Sequence, residues 1–238
     1  MTAPSSSRRI ALALLSCATV LLVAAGCGGS SGGKDTGGGN VQQVLADAKT
    51  KFDKASSVQF TMATGSTPTS GNAVLGANGT LTHQPAFKGN VKVLFSGFNT
   101  SIPVVAVDGK VYAKLPLTPS FSTIDPTEYG APDPSDFSDP AKGISGLLLK
   151  LDGAKKTGQK RDGKVVVTTY AGTLDGALVA PIIPSADDSS TYKTVVGIND
   201  QGQITTLSVT GDFFSGAGDV TYDLTFYDYG KSVTIKKP

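Results

Sequence analysis

The stretch Val104-Val105-Ala106-Val107-Asp108-Gly109-Lys110-Val111-Tyr112 decides the fold. Two β-prone runs flank Asp-Gly, a pair suited to a two-residue turn with positive φ at both central positions. That turn sets Ala106 opposite Val111 and Val104 opposite Ala113. Together with Leu115 these residues form an inner apolar face, and Lys110 and Lys114 stay outside. The unit is an antiparallel hairpin with one apolar side.

The same period of two recurs on both sides of the hairpin. Upstream, Phe87, Gly89, Val91, Val93 and Phe95 alternate with Lys88, Asn90, Lys92 and Leu94. Downstream, Val220, Tyr222, Leu224 and Phe226 alternate with Asp219, Thr221, Asp223 and Thr225. From Ser57 onward most of the chain reads as antiparallel strands, about ten or eleven, divided by Gly, Asn, Asp and Pro turns and wet on one face. Three helices accompany them. Asn40 is an N-cap with Gln43 three residues on, and Val41, Val44, Leu45, Ala48, Phe52 and Ala55 share one helical face. Asp139-Pro140 starts a second helix, Ala141 to Leu149, which presents Ile144, Leu147, Leu148 and Leu151. A third, Leu174 to Ile183, is weakened by Gly176 and Pro181. Ser120 to Asp139 is rich in Pro, Asp and Ser and reads as a long loop, a kind of segment that often carries function. The class is α+β, and a sheet of this size should curl.

At the N-terminus, Arg8 and Arg9 precede an apolar run from Ile10 to Ala25, and Ala24-Ala25-Gly26 stands before Cys27. This is the layout of an export leader, too short for a spanning helix. Small residues before a lone cysteine make residues 1–26 a lipoprotein signal peptide and Cys27 the lipidation site. Residues 27–39, rich in Gly and Ser, form a flexible tether, and residues 40–238 form one domain. The expected location is the extracytoplasmic face of a cell membrane, through that lipid anchor. Without the leader the chain carries 19 basic and 19 acidic residues. A neutral domain lacks the basic face that nucleic acid requires.

The search for catalytic chemistry is mostly negative. The single histidine, His83, reads as an exposed polar residue near a strand end, and a His-paired nucleophile would rest on it alone. Both cysteines, Cys17 and Cys27, precede the domain. No phosphate loop or dinucleotide fingerprint occurs. Asp125, Glu128, Asp133, Asp136 and Asp139 lack calcium-loop spacing, and Asp139 is better used as a helix cap. Lys150, Lys155, Lys156, Lys160, Arg161 and Lys164 read as a solvated strand pair. No enzyme activity, cofactor or metal site is expected. Inward apolar positions outnumber what three modest helices can cover. Either the sheet folds onto itself as a sandwich or it encloses an apolar cavity, and periodicity does not separate the two.

Several short segments, in order and spacing, resemble the LppX/LprA/LprF/LprG lipoproteins of mycobacterial and related cell envelopes. They are Ser56-Ser57-Val58-Gln59-Phe60, Gly79-Thr80-Leu81-Thr82, Gly89-Asn90-Val91-Lys92-Val93, Val107 to Ala113, and Tyr229-Gly230-Lys231-Ser232-Val233-Thr234-Ile235-Lys236-Lys237-Pro238, behind the lipobox cysteine and tether. Tyr229 stands where the family usually has Trp, and the loops around Pro68 and Asp187 differ. The resemblance implies a strongly curved half-barrel with helices on its concave face, enclosing a hydrophobic cavity that takes up acylated lipids or glycolipids and carries them across the envelope. Val91 and Val93 match a strand that faces that cavity. Val104, Ala106, Val111, Leu147 and Leu148 are further candidates for its lining. A membrane transporter is a further expected partner. The alternative role is envelope assembly or transporter support through protein contacts alone.

Overall fold

A computed structural model describes residues 37–238 except 69 and 70. The leader, Cys27 and most of the tether lie outside the described residues, as does the Asn40 side chain with its expected cap. The described residues make up one compact unit.

The first helix, α1 (Gly37–Lys54), begins three residues before the expected cap. Val41, Leu45, Ala48 and Phe52 are buried along one face at the spacing read from the sequence. Eleven strands follow: β1 (Ser57–Thr64), β2 (Ala73–Thr82), β3 (Ala86–Phe95), β4 (Phe98–Val107), β5 (Lys110–Ala113), β6 (Ser122–Ile124), β7 (Asp152–Asp162), β8 (Val165–Asp175), β9 (Thr191–Asn199), β10 (Ile204–Gly211) and β11 (Val220–Tyr227). They form one antiparallel sheet in the order β6-β5-β4-β3-β2-β1-β11-β10-β9-β8-β7. The chain runs outward from the centre to β6, crosses to the opposite edge at β7, and returns strand by strand to pair β11 with β1. The sheet is strongly curved and unclosed, a half-barrel. Register shifts at Val74/Gly76 in β2, at Asp152/Lys155 and Lys156/Gly158 in β7, and between Ile204 and Thr206 in β10 are places where an extra residue bends a strand.

The β4–β5 turn takes the expected form. Asp108 and Gly109 have φ of 55° and 66°, and Val104 pairs with Ala113 and Ala106 with Val111. Elsewhere the elements depart from the reading. The second helix shrinks to α2 (Ile144–Leu147) and a 3-10 turn, Leu148–Lys150. Gly143 has an extended backbone (φ −79°, ψ −168°), so the helix starts only after it, and it sits against the carbonyls of Asp136, Phe137 and Asp139 where no Cβ fits. The third helix is one turn, α3 (Gly176–Val179), stopped by Pro181, which has no N–H to continue it. The long loop contains the short edge strand β6 and two 3-10 helices, Pro126–Tyr129 and Pro134–Ser138, each with proline in its first turn and an aspartate cap. At the end of β3 the alternation breaks: Leu94 is buried and Phe95 is partly exposed.

The concave face is covered in two parts. The α1 helix lies over β7 and β10, with α2 and the Leu148–Lys150 turn against it. The Pro134–Ser138 turn lies over β2, β3 and β4. Within the first cover Ser145 Oγ donates to Asp53 Oδ1 at 2.6 Å and Lys49 Nζ to Asp53 Oδ2 at 2.5 Å; Lys49 Nζ also donates at 2.6 Å to the carbonyl of Pro140, two residues past the Pro134–Ser138 turn. The convex face is not wet throughout. Ala86, Val105, Val107 and Tyr112 form a small outer cluster, against which Phe121 and Ile235 pack. Lys237 Nζ sits 5.7 Å from the Tyr112 ring centroid. The C-terminal segment is anchored at its start, where Gly230 N–H donates to the Ser57 carbonyl and Ser57 Oγ to the Lys231 carbonyl.

Candidate ligand cavity

Between β1–β6 and the loop that crosses them lies a cavity of about 600 Å³, counting the solvent at its mouth. Its floor is a row across four strands, Met62, Ala77, Val91 and Ile102, each paired with the next. Val74 and Val93 extend the floor toward one end, and Val104, Ala113 and Val111 toward the other. The roof comes from the crossing loop: Pro126, Tyr129, Ala131, Pro132, Pro134 and Phe137. Among the lining residues only Tyr129 carries a polar side-chain atom. The walls stand close: the space enclosed between them is about 50 Å³, well below the volume range usual for small-molecule sites, so a guest the size of an acyl chain has to part them.

The inner end is set by aromatic packing. Phe60 lies 6.0 Å from Phe87 and 6.1 Å from Phe137, centroid to centroid. The Phe87 ring occupies space left by Gly79 and Gly89, which face each other across β2 and β3. A Cβ on either glycine would stand 2.7–2.8 Å from that ring. Beyond Phe60, Phe226 and Phe52 continue the cluster beneath α1, so this half of the concave side is filled.

Of the residues assigned to the lining from sequence, the structure brings Val91, Val93, Val104 and Val111 together on one wall. Ala106, Leu147 and Leu148 are buried in the core and do not line the cavity. Ala106 sits opposite Phe87, at the filled inner end. Leu147 and Leu148 belong to the cover over the other half of the sheet. The roof residues were missed, because proline and alanine in 3-10 turns carry no periodic signal; the proline-rich composition of 120–139 was the only hint.

Polar candidates take structural roles. Asp125 Oδ1 accepts from Thr127 N–H and Oγ1, and Asp133 Oδ1 from Ser135 N–H and Oγ. Asp139 Oδ1 accepts from the amides of Ala141 and Lys142 at 2.7 and 2.8 Å, but it caps a turn rather than the helix expected there, since the N-cap of α2 is Gly143. These hydrogen bonds hold the Asp125 and Asp139 carboxyls below their usual range, and burial pushes Asp136 up. His83 is not the exposed residue expected. Its ring stands edge-on to Phe52 at 5.3 Å, both nitrogens are shielded from solvent, and burial lowers its pKa. It lines a separate, open and polar recess at the opposite end of the sheet, with Lys54, Gln84, Lys236 and Lys237. Tyr222 Oη donates to the Val74 carbonyl at 2.6 Å, fastening β11 to β2 behind the cavity, and burial pushes its phenol up to about 12.

Fold and lining together define an α+β half-barrel protein with an apolar interior cavity. The chain belongs to the LppX_LprAFG lipoprotein family, whose sequence model matches residues 40–235. It is 25% identical over 252 residues to the "Lipoarabinomannan carrier protein LprG" of Mycobacterium leprae, covering 100% of this chain and 99% of that one. It is 26% identical over 208 residues to "Lipoprotein LprA" of Mycobacterium tuberculosis, covering 84% and 82%. Among solved structures, LprF from Mycobacterium bovis superposes with a TM-score of 0.71 at 18% identity, covering 85% of this chain and 98% of that one. LppX from M. tuberculosis gives 0.60 at 17% identity, covering 84% and 100%. Both share the curved, unclosed sheet. Among the described residues no helix is long and apolar enough to cross a membrane.

Proposed function

We propose that this protein is a lipid-anchored carrier that holds the acyl chains of a lipid or glycolipid in the β1–β6 cavity and moves them across the cell envelope. The observation that carries the reading is the lining itself, apolar on floor and roof alike, with Tyr129 as its one polar side chain. A relative over the full length is named a lipoarabinomannan carrier, which supports a lipoglycan or glycolipid cargo. Exposing a sixteen-carbon chain to water costs about 12 kcal/mol at roughly 0.8 kcal/mol per methylene, so a carrier has to hide it. A cavity with no charged group makes no strong directional bond to its guest, and the affinity stays near that of a bilayer, as loading and release both require. Cys27 acylation would hold the domain beside its donor membrane and raise the local concentration of cargo.

The test is native mass spectrometry of the chain from Asp35 onward, purified from an actinobacterial host. That chain has no cysteine, so any bound lipid is cargo rather than anchor. Near-stoichiometric acylated species are expected. A clean apo mass with no uptake of added diacyl or triacyl lipids would overturn the proposal and favour action through protein contacts. Val91→Trp, at the centre of the floor, should fill the cavity and abolish lipid retention while circular dichroism stays normal.

A further inference from the structure

We propose that the rim of the cavity inserts into the lipid bilayer, with Phe98 and Leu117 as its wedges, so that acyl chains pass between membrane and cavity without crossing water. This rests on the carrier reading and adds the surface through which it loads. Phe98 and Leu117 are the two most exposed large apolar side chains described, at 77% and 106% of full exposure, and Phe95 follows the same pattern at 38%. All three lie at one end of the sheet. Phe95 and Phe98 flank the two-residue β3–β4 turn, Ser96-Gly97, whose φ values of 50° and 82° make a tight hairpin that pushes both rings outward. Leu117 lies in the loop that leaves β5 at that same end. It has φ of 66°, a conformation a leucine rarely adopts, and it makes no compensating burial.

The exposed residues continue into the cavity. The Phe95 ring lies 5.5 Å from Tyr129, which lines the roof, and Leu115, two residues before Leu117, lines the wall. Two apolar tracks therefore run from solvent to the interior, one along the hairpin and one along the loop. Their shape selects the occupant. A protein partner needs roughly 800 Å² of matched surface on each side, whereas side chains isolated on two separate tips form wedges rather than a plane. Exposed Lys114, beside the loop, suits a position at the headgroup level with its stem along the apolar tip. An acylated Cys27, the expected lipid anchor, would hold the domain beside a membrane.

The experiment uses the cysteine-free chain from Asp35 onward, with an environment-sensitive fluorophore on single cysteines at Phe98→Cys, Leu117→Cys or, at the far end of the sheet, Lys164→Cys. Vesicles are equimolar phosphatidylethanolamine and phosphatidylglycerol, with and without a nitroxide quencher in the acyl region. Blue shift and quenching at 98 and 117 but not at 164 are expected. Emission that stays aqueous at 98 and 117 overturns the proposal and leaves those tips for a protein. In parallel, Phe98→Ser/Leu117→Ser should slow transfer of a fluorescent diacyl lipid between vesicles at least tenfold, with bound lipid per protein unchanged. An undiminished rate would also overturn it. If the wild type carries no lipid at all, the carrier reading fails, and the fluorophore shifts still decide whether the rim inserts.

Discussion

His83 shows how one side chain can set a pH limit far from any reaction. Burial against Phe52 lowers its folded pKa below the ordinary value near 6.5, so the unfolded chain takes up this proton first as pH falls. Stability contributed by the neutral ring is full above that value and declines below it, down to the lowered folded pKa. Replacing it as His83→Leu should leave the melting temperature near wild type at pH 7.5 and raise it above wild type at pH 5, by thermal denaturation monitored at both. A parallel decline in both proteins would show that another group controls the acid limb. Gly89 sets a steric limit instead. A methyl group there meets the Asn78 carbonyl, the Gly79 Cα at 2.7 Å and the Phe87 ring at 2.8 Å. Gly89→Ala should cost at least ~1–3 kcal/mol in urea unfolding, the usual penalty for overpacking.

The roof works as an element through its caps rather than through packing alone. Asp139 holds the turn into α2 by accepting two amide hydrogen bonds, and these depress its pKa. Its contribution is therefore complete above about pH 4, the ordinary carboxylate range, and is lost as pH falls through the lowered value. Asp139→Ala should cost about 1 kcal/mol at pH 7, and the gap to wild type should close in urea melts near pH 2. How far the elements could be read from sequence follows from the same contrast. The β4–β5 hairpin was legible to the exact pair, because Asp108-Gly109 fixes register and each residue then has one face. Val104 and Val111 take their face from that register and Val91 and Val93 from the alternation along β3; that this face borders a cavity was implied by the family resemblance alone. Leu147 and Leu148 were not separable from that lining, since an apolar residue reads alike whether it meets a void or another side chain. Phe137 and the roof prolines were invisible, because capped 3-10 turns are built from local hydrogen bonds with no repeating apolar spacing.

At the scale of the whole molecule, the strand order sets the first strand beside the last: Phe60 faces Phe226 and Met62 faces Leu224 in the middle of the sheet. The outer edges are β6 and β7, far from either end of the described chain in sequence. Removing residues from Asp219 onward should therefore not trim a margin. It should divide the sheet into two pieces and abolish the cooperative unfolding transition in calorimetry; a truncated chain that still melts sharply would mean that the two halves stand alone. Time enters here as well. At roughly 5–20 residues per second of synthesis, β1 waits roughly ten to thirty seconds for its partner β11 to be made. Through that interval the central seam stays open, and no complete half-barrel can form ahead of the final strand. Until β11 arrives only the separate arms β1–β6 and β7–β10 can pair, and the sheet has no continuous centre to close over.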